Sequence, residues 1–374
     1  MIDNKFGVIY TGENAMSLKD LTYSRSVAAM PVGGRYRAID FMVSNLVNSG
    51  IRNVGVITQK NYHSIMDHLG SGKEWDLSRK RDGLFMLPPY VTRENTGVYS
   101  GTVDALKGSM GFIRRSSQRY CIFMGSHTIY NMTFNDALEQ HVQRGADITI
   151  LYNVEPEKPK EAYVERLYLS MEASGRIVDM EINPYSPSTS NVSMDVYILE
   201  KTLLEHLVEE CISRAKYDLI RDVLMAQIKD LKIMGCLYEG YVARIDTLGG
   251  YYKLNMDLLE KSTRDSLFSK DHPIYTKVKD EVPALYGSTG HTQNCIIADG
   301  CIIEGDVENS VLFRSVRVAP GAKIKNSIIM QACEIQDNAV LENVILDKAV
   351  LIKRERRLVG QPGFPVIIRK NSII

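Results

Sequence analysis

The chain has 374 residues, with 45 basic and 45 acidic side chains and a formal net charge of zero, so no overall field recommends nucleic acid or an anionic membrane as a partner. Hydrophobic residues make up 44% and charged residues 24%, as in an ordinary soluble globular protein, and the length suggests two domains rather than one core. Any anion site must therefore be local.

The six cysteines, at 121, 211, 236, 295, 301 and 333, show no CxxC and no pairing with histidine at zinc spacing, and read as buried free thiols. The opening MIDNKFGV has no basic and apolar leader pattern, and no run approaches the ~18 apolar residues of a membrane span. A reducing cytoplasm is the expected location.

Up to about residue 245, short β-rich runs alternate with helical stretches. Residues 6–10 (FGVIY) suit a first buried strand that runs into a turn at Thr11-Gly12. In α/β proteins such a turn brings backbone N–H groups and the positive end of the next helix onto a phosphate. Here it reads Gly12-Glu13-Asn14-Ala15-Met16-Ser17, with one glycine left and a carboxylate added. Residues 54–58 read as the next strand, 102–115 as one helix with Val103, Leu106, Met110 and Ile113 on a face, and Tyr120–Met124 as a buried strand. A helix over 133–143, capped by Thr133, and a strand over 147–152 close a further β-α-β unit. This order predicts a mostly parallel sheet covered by helices, with ligands beyond the carboxyl ends of the strands.

Between about 155 and 200 the pattern turns to antiparallel strands around the turn-rich 183–190 patch. Two helices are expected over 201–214 and 217–229, a strand pair over 232–245, and a helix over 249–261 leading out of the domain. Past about 290 aliphatics recur every six residues: Ile297 and Ile303, then Val318, Ile324 and Met330, then Ile335 and Leu341 after a phase break. That is the signature of a parallel β-helix of hexapeptide repeats, whose open ends need a cap or a partner. The apolar tail, Val350-Leu351-Ile352, Val366-Ile367-Ile368 and Ile373-Ile374, reads as a subunit interface or as closure of the solenoid's own core. The domains expected are 1–247, a 248–290 connection, and 291–374.

The stretch around the first loop carries a resemblance. Leu18-Lys19-Asp20-Leu21-Thr22, Pro31-Val32-Gly33-Gly34-Arg35-Tyr36-Arg37-Ala38-Ile39-Asp40-Phe41, Ser44-Asn45, Asn48-Ser49-Gly50-Ile51-Arg52 and Val56-Ile57-Thr58-Gln59 resemble the sugar-nucleotide pyrophosphorylases, most closely the ADP-glucose pyrophosphorylase (glucose-1-phosphate adenylyltransferase) family of bacterial glycogen synthesis, and the degenerate loop resembles its non-catalytic partner-subunit type. The resemblance implies a Rossmann-like nucleotidyltransferase domain followed by a left-handed β-helix. It also implies a reaction, ATP with glucose 1-phosphate to ADP-glucose and pyrophosphate, that rests on holding two polyanions in line with Mg²⁺, Arg, Lys and backbone donors.

Against the family pattern, those donors are missing. At the first turn Glu13 stands for a glycine, Ala15 for another, and Ser17 for the triphosphate-contacting Arg. A carboxylate about 4 Å from a phosphate is repelled by roughly 4 kcal/mol per charge pair at an effective dielectric of 20, unless it swings out into solvent. Losing a charge-stabilising donor typically costs about 10²–10³ in rate. Val27 stands for a Lys; Ser126, in Gly125-Ser126-His127-Thr128-Ile129-Tyr130, for a metal-holding Asp; and Arg244 for the second metal carboxylate, with Asp246 two residues on facing the same side. Ile182 and Asn183 replace the segment that supplies a sugar-phosphate Lys, and Asp195 the glycine of the Ser193–Tyr197 motif.

Gly12, Arg25, Arg35, Gln59, Gly101, Thr102 and Asp104 keep the family's identity and are the candidates for residual nucleotide or effector binding. Gly101 and Thr102 read equally as a helix start, and Arg35 and Arg37 as surface charges or ion-pair partners. His63 and His127 read as structural, and Arg79-Lys80-Arg81 as a solvated face.

The expected function is that of a non-catalytic subunit with no catalytic residue, metal or cofactor of its own. It joins a catalytic, Mg²⁺-dependent ADP-glucose pyrophosphorylase subunit in a hetero-tetramer, or forms a homo-oligomer when alone, and tunes that activity. The alternative is an active adenylyltransferase with relocated metal ligands, Asp246 and Glu13. A hexapeptide-repeat acyltransferase is disfavoured because 291–374 contains a single histidine, His291.

Overall fold

The computed structural model describes residues 4–12, 16–89, 97–155 and 166–374. Nine described strands form the sheet of the first domain: β1 (Lys5–Tyr10), β2 (Asn53–Ile57), β3 (Gly83–Leu87), β4 (Tyr120–Met124), β5 (Ile148–Val154), β6 (Leu167–Met171), β7 (Ile177–Ile182), β8 (Asn191–Glu200) and β9 (Ile233–Leu237). β4, β1, β2 and β3 lie side by side and parallel, and β1, β2 and β4 are buried along their whole length, which is why they read as unbroken apolar runs. The sheet is mostly parallel, as expected, with β8 running antiparallel between β4 and β5 and β7 antiparallel to β6 at its edge.

Local differences from the expected elements have local causes. The helix of 102–115 is two, Thr102–Gly108 and Met110–Arg115, broken where Ser109 leaves helical geometry. Helix Asn135–Arg144 has Phe134 at its N-cap, so Thr133 does not cap it. Leu219–Met225 winds as a π-helix. The strand pair of 232–245 does not form: β9 pairs with β5, whereas Ala243–Arg244 pairs with Thr128–Ile129. The exit helix is two, Leu248–Asp257 and Lys261–Leu267.

The rest of the chain is a solenoid of three five-stranded parallel sheets, the β-helix the hexapeptide period predicts. Its first rung begins at Leu285, ahead of the expected 291, since Leu285–Tyr286 already pairs with Ile302–Ile303. A full turn takes 15 residues from Ile303 to Val318 and 17 from Ile324 to Leu341, which explains the phase break. All six cysteines are free, and five are buried.

One of the three sheets, with strands Ile296–Ile297, Val311–Leu312, Ile328–Ile329, Val344–Leu346 and Val366–Ile368, is apolar on both faces. Leu312, Ile329 and Leu346 fill the solenoid core. Val311, Ile328 and Ile345 point the other way and join a hydrophobic cluster of the first domain with Leu18, Leu254 and Leu258. A buried ion pair crosses the same junction: Arg25 Nη2 meets both carboxylate oxygens of Asp347 at 2.6 and 2.8 Å.

The two ends of the solenoid differ. At the C-terminal end the tail turns back, with Leu351 N–H donating to Ser372 O and Ile374 N–H to Leu351 O, and Ile374 packs on the core. The tail thus closes the solenoid's own core, with Phe364 and Ile373 left exposed. At the other end Val282, Leu285 and Tyr286 are exposed, and the strands of the first rung, Leu285–Tyr286, His291–Gln293 and Ile296–Ile297, are each the last in their sheet among the described residues. No described helix is long and apolar enough to cross a membrane.

Candidate functional site

A cleft of ≈ 450 Å³ opens at the carboxyl ends of β1, β2 and β4, where the fold places ligands. Tyr10 and Gly12 follow from β1, Gln59 from β2, and Phe123 and His127 from β4; Ser193, Asp195 and Tyr197 come from β8, and Arg166, Arg244 and Asp246 close the far side. Glu13 and Ala15 lie outside the described residues, as does the side chain of Ser17.

The two positions where the family keeps metal carboxylates do come together. Ala243–Arg244 pairs with Thr128–Ile129, placing Arg244 opposite Thr128, and Ile245 N–H donates to His127 O at 2.7 Å, so Ser126 lies in the adjoining turn. Ser126 is fully buried. Arg244 is only 6% exposed, and its guanidinium reaches Asn153 Oδ1 at 2.8 Å, Ser193 O at 2.9 Å and the carboxylate of Glu155. Arg166 links Glu155 to Asp246 Oδ2, with Nη2 at 3.0 Å and Nε at 3.2 Å from the latter. Burial pushes the Arg244 guanidinium down to about 10, against the pull of Asp246, so it stays charged at neutral pH. The Mg²⁺ of the family does not fit this arrangement: a cation already sits where a cation would bind, and the nearby carboxylates Glu155 and Asp246 are engaged with guanidinium groups.

The other positions that depart from the family pattern are spread in and around the cleft. Val27 is buried and presents an apolar wall to the cleft. Ile182 ends β7 and Asn183 donates its N–H to Arg166 O at 2.9 Å; neither lines the cleft. Asp195 takes a left-handed φ of 58° at a bulge in β8, the backbone state that the family's glycine accommodates freely. His127 Nδ1 lies 3.9 Å from Asp195 Oδ2, and His63 is exposed at the start of its helix.

The candidates for residual binding separate into four places. Gly12, Gln59, Gly101 and Thr102 line the cleft, and Gln59 Nε2 donates to the Tyr10 hydroxyl at 2.8 Å. Gly101 is also a helix N-cap pressed against a carbonyl, since a Cβ there would meet Tyr217 O at 2.3 Å. Asp104 is not in the cleft; its Oδ2 accepts from Ser100 N–H at 2.9 Å at that helix start. Arg25 is not there either, because Asp347 draws it into the domain junction.

Arg35 belongs to a separate hollow between the domains. There Arg35, Arg37, Lys277 and Lys279 from the first domain and its connection face Arg314 and Lys348 from the solenoid. Arg314 is 9% exposed and its Nε has no hydrogen-bond partner among the described residues. Burial, then Arg37 and Arg25, push the Lys348 ammonium down to about 8. Lys277, Lys279, Arg314 and Lys348 were not singled out from the sequence, because only the docking of the two domains brings them together. In the basic run, Arg79 pairs with Asp76 on an exposed turn.

Residues 6–259 match the nucleotidyl transferase family, and residues 281–361 the GlmU-like C-terminal hexapeptide family. The chain is 36% identical over 375 residues to the glycogen biosynthesis protein GlgD of Bacillus subtilis (strain 168), covering 100% of this chain and 98% of that one. It is 37% identical over 324 residues to GlgD of Geobacillus stearothermophilus, covering 87% and 84%. It is 30% identical over 349 residues to glucose-1-phosphate adenylyltransferase of Bacillus cereus (strain Q1), covering 92% of each.

Proposed function

Because the chain belongs to the nucleotidyl transferase family, with a hexapeptide β-helix behind the transferase domain, we propose that it works in glycogen biosynthesis as a non-catalytic subunit that assembles with a catalytic glucose-1-phosphate adenylyltransferase and tunes it. The observation that carries this reading is Arg244, a buried guanidinium at the place of a metal carboxylate. Val27 and Ser126 remove two more of the groups such catalysis needs, and groups of one site act as a unit, so partial loss leaves little turnover. The alternative, an active enzyme with relocated ligands, is weakened because Asp246 is engaged by Arg166.

The inter-domain hollow, small at ≈ 40 Å³, favours a compact anion: six basic side chains of two domains line it, with Lys277 paired to Asp67 and Arg37 bonded to Ser64, so a phosphate group there would bias how the domains sit. The exposed first rung of the solenoid, with its open strand edges, is the surface for the catalytic homologue.

Pyrophosphate release from ATP and glucose 1-phosphate tests the reading, with the chain alone, the catalytic homologue alone, and both mixed. The expected result is no turnover by the chain alone, and a changed rate or substrate affinity together with a complex on gel filtration for the mixture. Mg²⁺-dependent turnover by the chain alone would overturn it, as would an unchanged mixture with no complex.

A further inference from the structure

The groups around Arg244 are all oxygens: a Glu155 carboxylate, the Asn153 side-chain carbonyl and the Ser193 main-chain carbonyl. They come from the end of β5 and from β8, and Arg166 extends the cluster to Asp246. Four chain segments are thus pinned by two guanidinium groups in a nearly dry spot. Hard oxygens are also the kind of donor that Mg²⁺, Mn²⁺ or Ca²⁺ prefers, with water completing the coordination that these three groups begin.

We propose that Arg244, with Arg166, is a built-in counter-charge that holds the cleft in shape without a divalent cation, and that the oxygens it binds form a latent divalent-cation site exposed by its removal. The difference from a bound ion is permanence: a guanidinium on the chain cannot dissociate, so the shape of the cleft does not depend on metal supply. It also supplies rigid, directional donors, which an ammonium on a flexible stem would not. The proposal rests on the non-catalytic reading of the cleft only for the role of Arg244, and its test reads stability and metal uptake rather than turnover, so the two can fail separately.

The test uses the full chain, melted in EDTA and in Mn²⁺, with Mn²⁺ uptake followed by electron paramagnetic resonance. Wild type should melt at the same temperature in both and bind no Mn²⁺ in the cleft. Arg244→Ser should melt lower in EDTA, by on the order of 10 °C, because it leaves the buried Asn153 Oδ1 and the Ser193 carbonyl without their donor and Glu155 with Arg166 alone. Mn²⁺ should restore most of that loss, and adding Glu155→Gln should abolish both the restoration and the uptake. Since Arg244→Ser alone risks unfolding, Arg244→Met with Glu155→Gln is the companion, expected to melt within a few degrees of wild type in EDTA. The proposal falls if wild type is itself stabilised by Mn²⁺, if Arg244→Ser melts like wild type or ignores Mn²⁺, or if the companion is as unstable as the single variant.

Discussion

Lys348 carries the plainest pH dependence at the scale of single residues. Its ammonium is depressed to about 8 from its ordinary 10.5, chiefly by burial, so the folded chain gives up this proton before the unfolded chain does. Its contribution to stability therefore rises between about pH 8 and 10.5, where the unfolded state binds more protons. Anion binding has the opposite sign, since it needs the charged form. Titration calorimetry with inorganic pyrophosphate should show affinity falling several-fold between about pH 7 and 9, and Lys348→Met should be weaker at neutral pH and flatter across that range; a flat wild-type profile would remove Lys348 from the hollow's chemistry. The sequence marked Arg244 as standing for a metal carboxylate, and the residue lies opposite Thr128, beside the turn of Ser126. It misplaced Arg25 because the residue that claims it, Asp347, lies 322 positions away. Asp104, four residues from the N–H it accepts, has a purely local role that identity with a family motif hid.

Among the elements, those that follow from local periodicity were readable and those that depend on a neighbour were not. Tyr120–Met124 was read at its true bounds because a strand buried on both faces is an unbroken apolar run. The antiparallel insertion of β8 between β4 and β5 leaves no local mark, since pairing direction is a tertiary choice. The doubled aliphatics Ile328-Ile329 and Ile345-Leu346 did hold a signal: a six-residue period needs one inward aliphatic per side, and the second marks the face docked on the first domain. Ile328→Ala should lower stability by about 2–5 kcal/mol, while Lys323→Ala, on an exposed face, should change it by under about 0.5 kcal/mol. Chemical denaturation of both variants checks this; equal small effects would mean that the sheet face is not energetically coupled to the first domain.

On the scale of the whole molecule, the two ends of the solenoid are unlike. Its last rung is closed by the chain's own tail, while Val282, Leu285 and Tyr286 stand exposed beside open strand edges at the first. Leu285→Asp with Tyr286→Asp should leave the melting temperature of the isolated chain within a few degrees of wild type and abolish its co-elution with the catalytic homologue on gel filtration. Retained co-elution would move the contact elsewhere. The doubly apolar sheet has a different consequence. Severed after the exit helices, the C-terminal third would bare a greasy stripe of valine and isoleucine to water and clump, and the remainder would lose one wall of its interior. Neither half is a portable module, so a swap of C-terminal domains between relatives would have to carry both sides of that seam together.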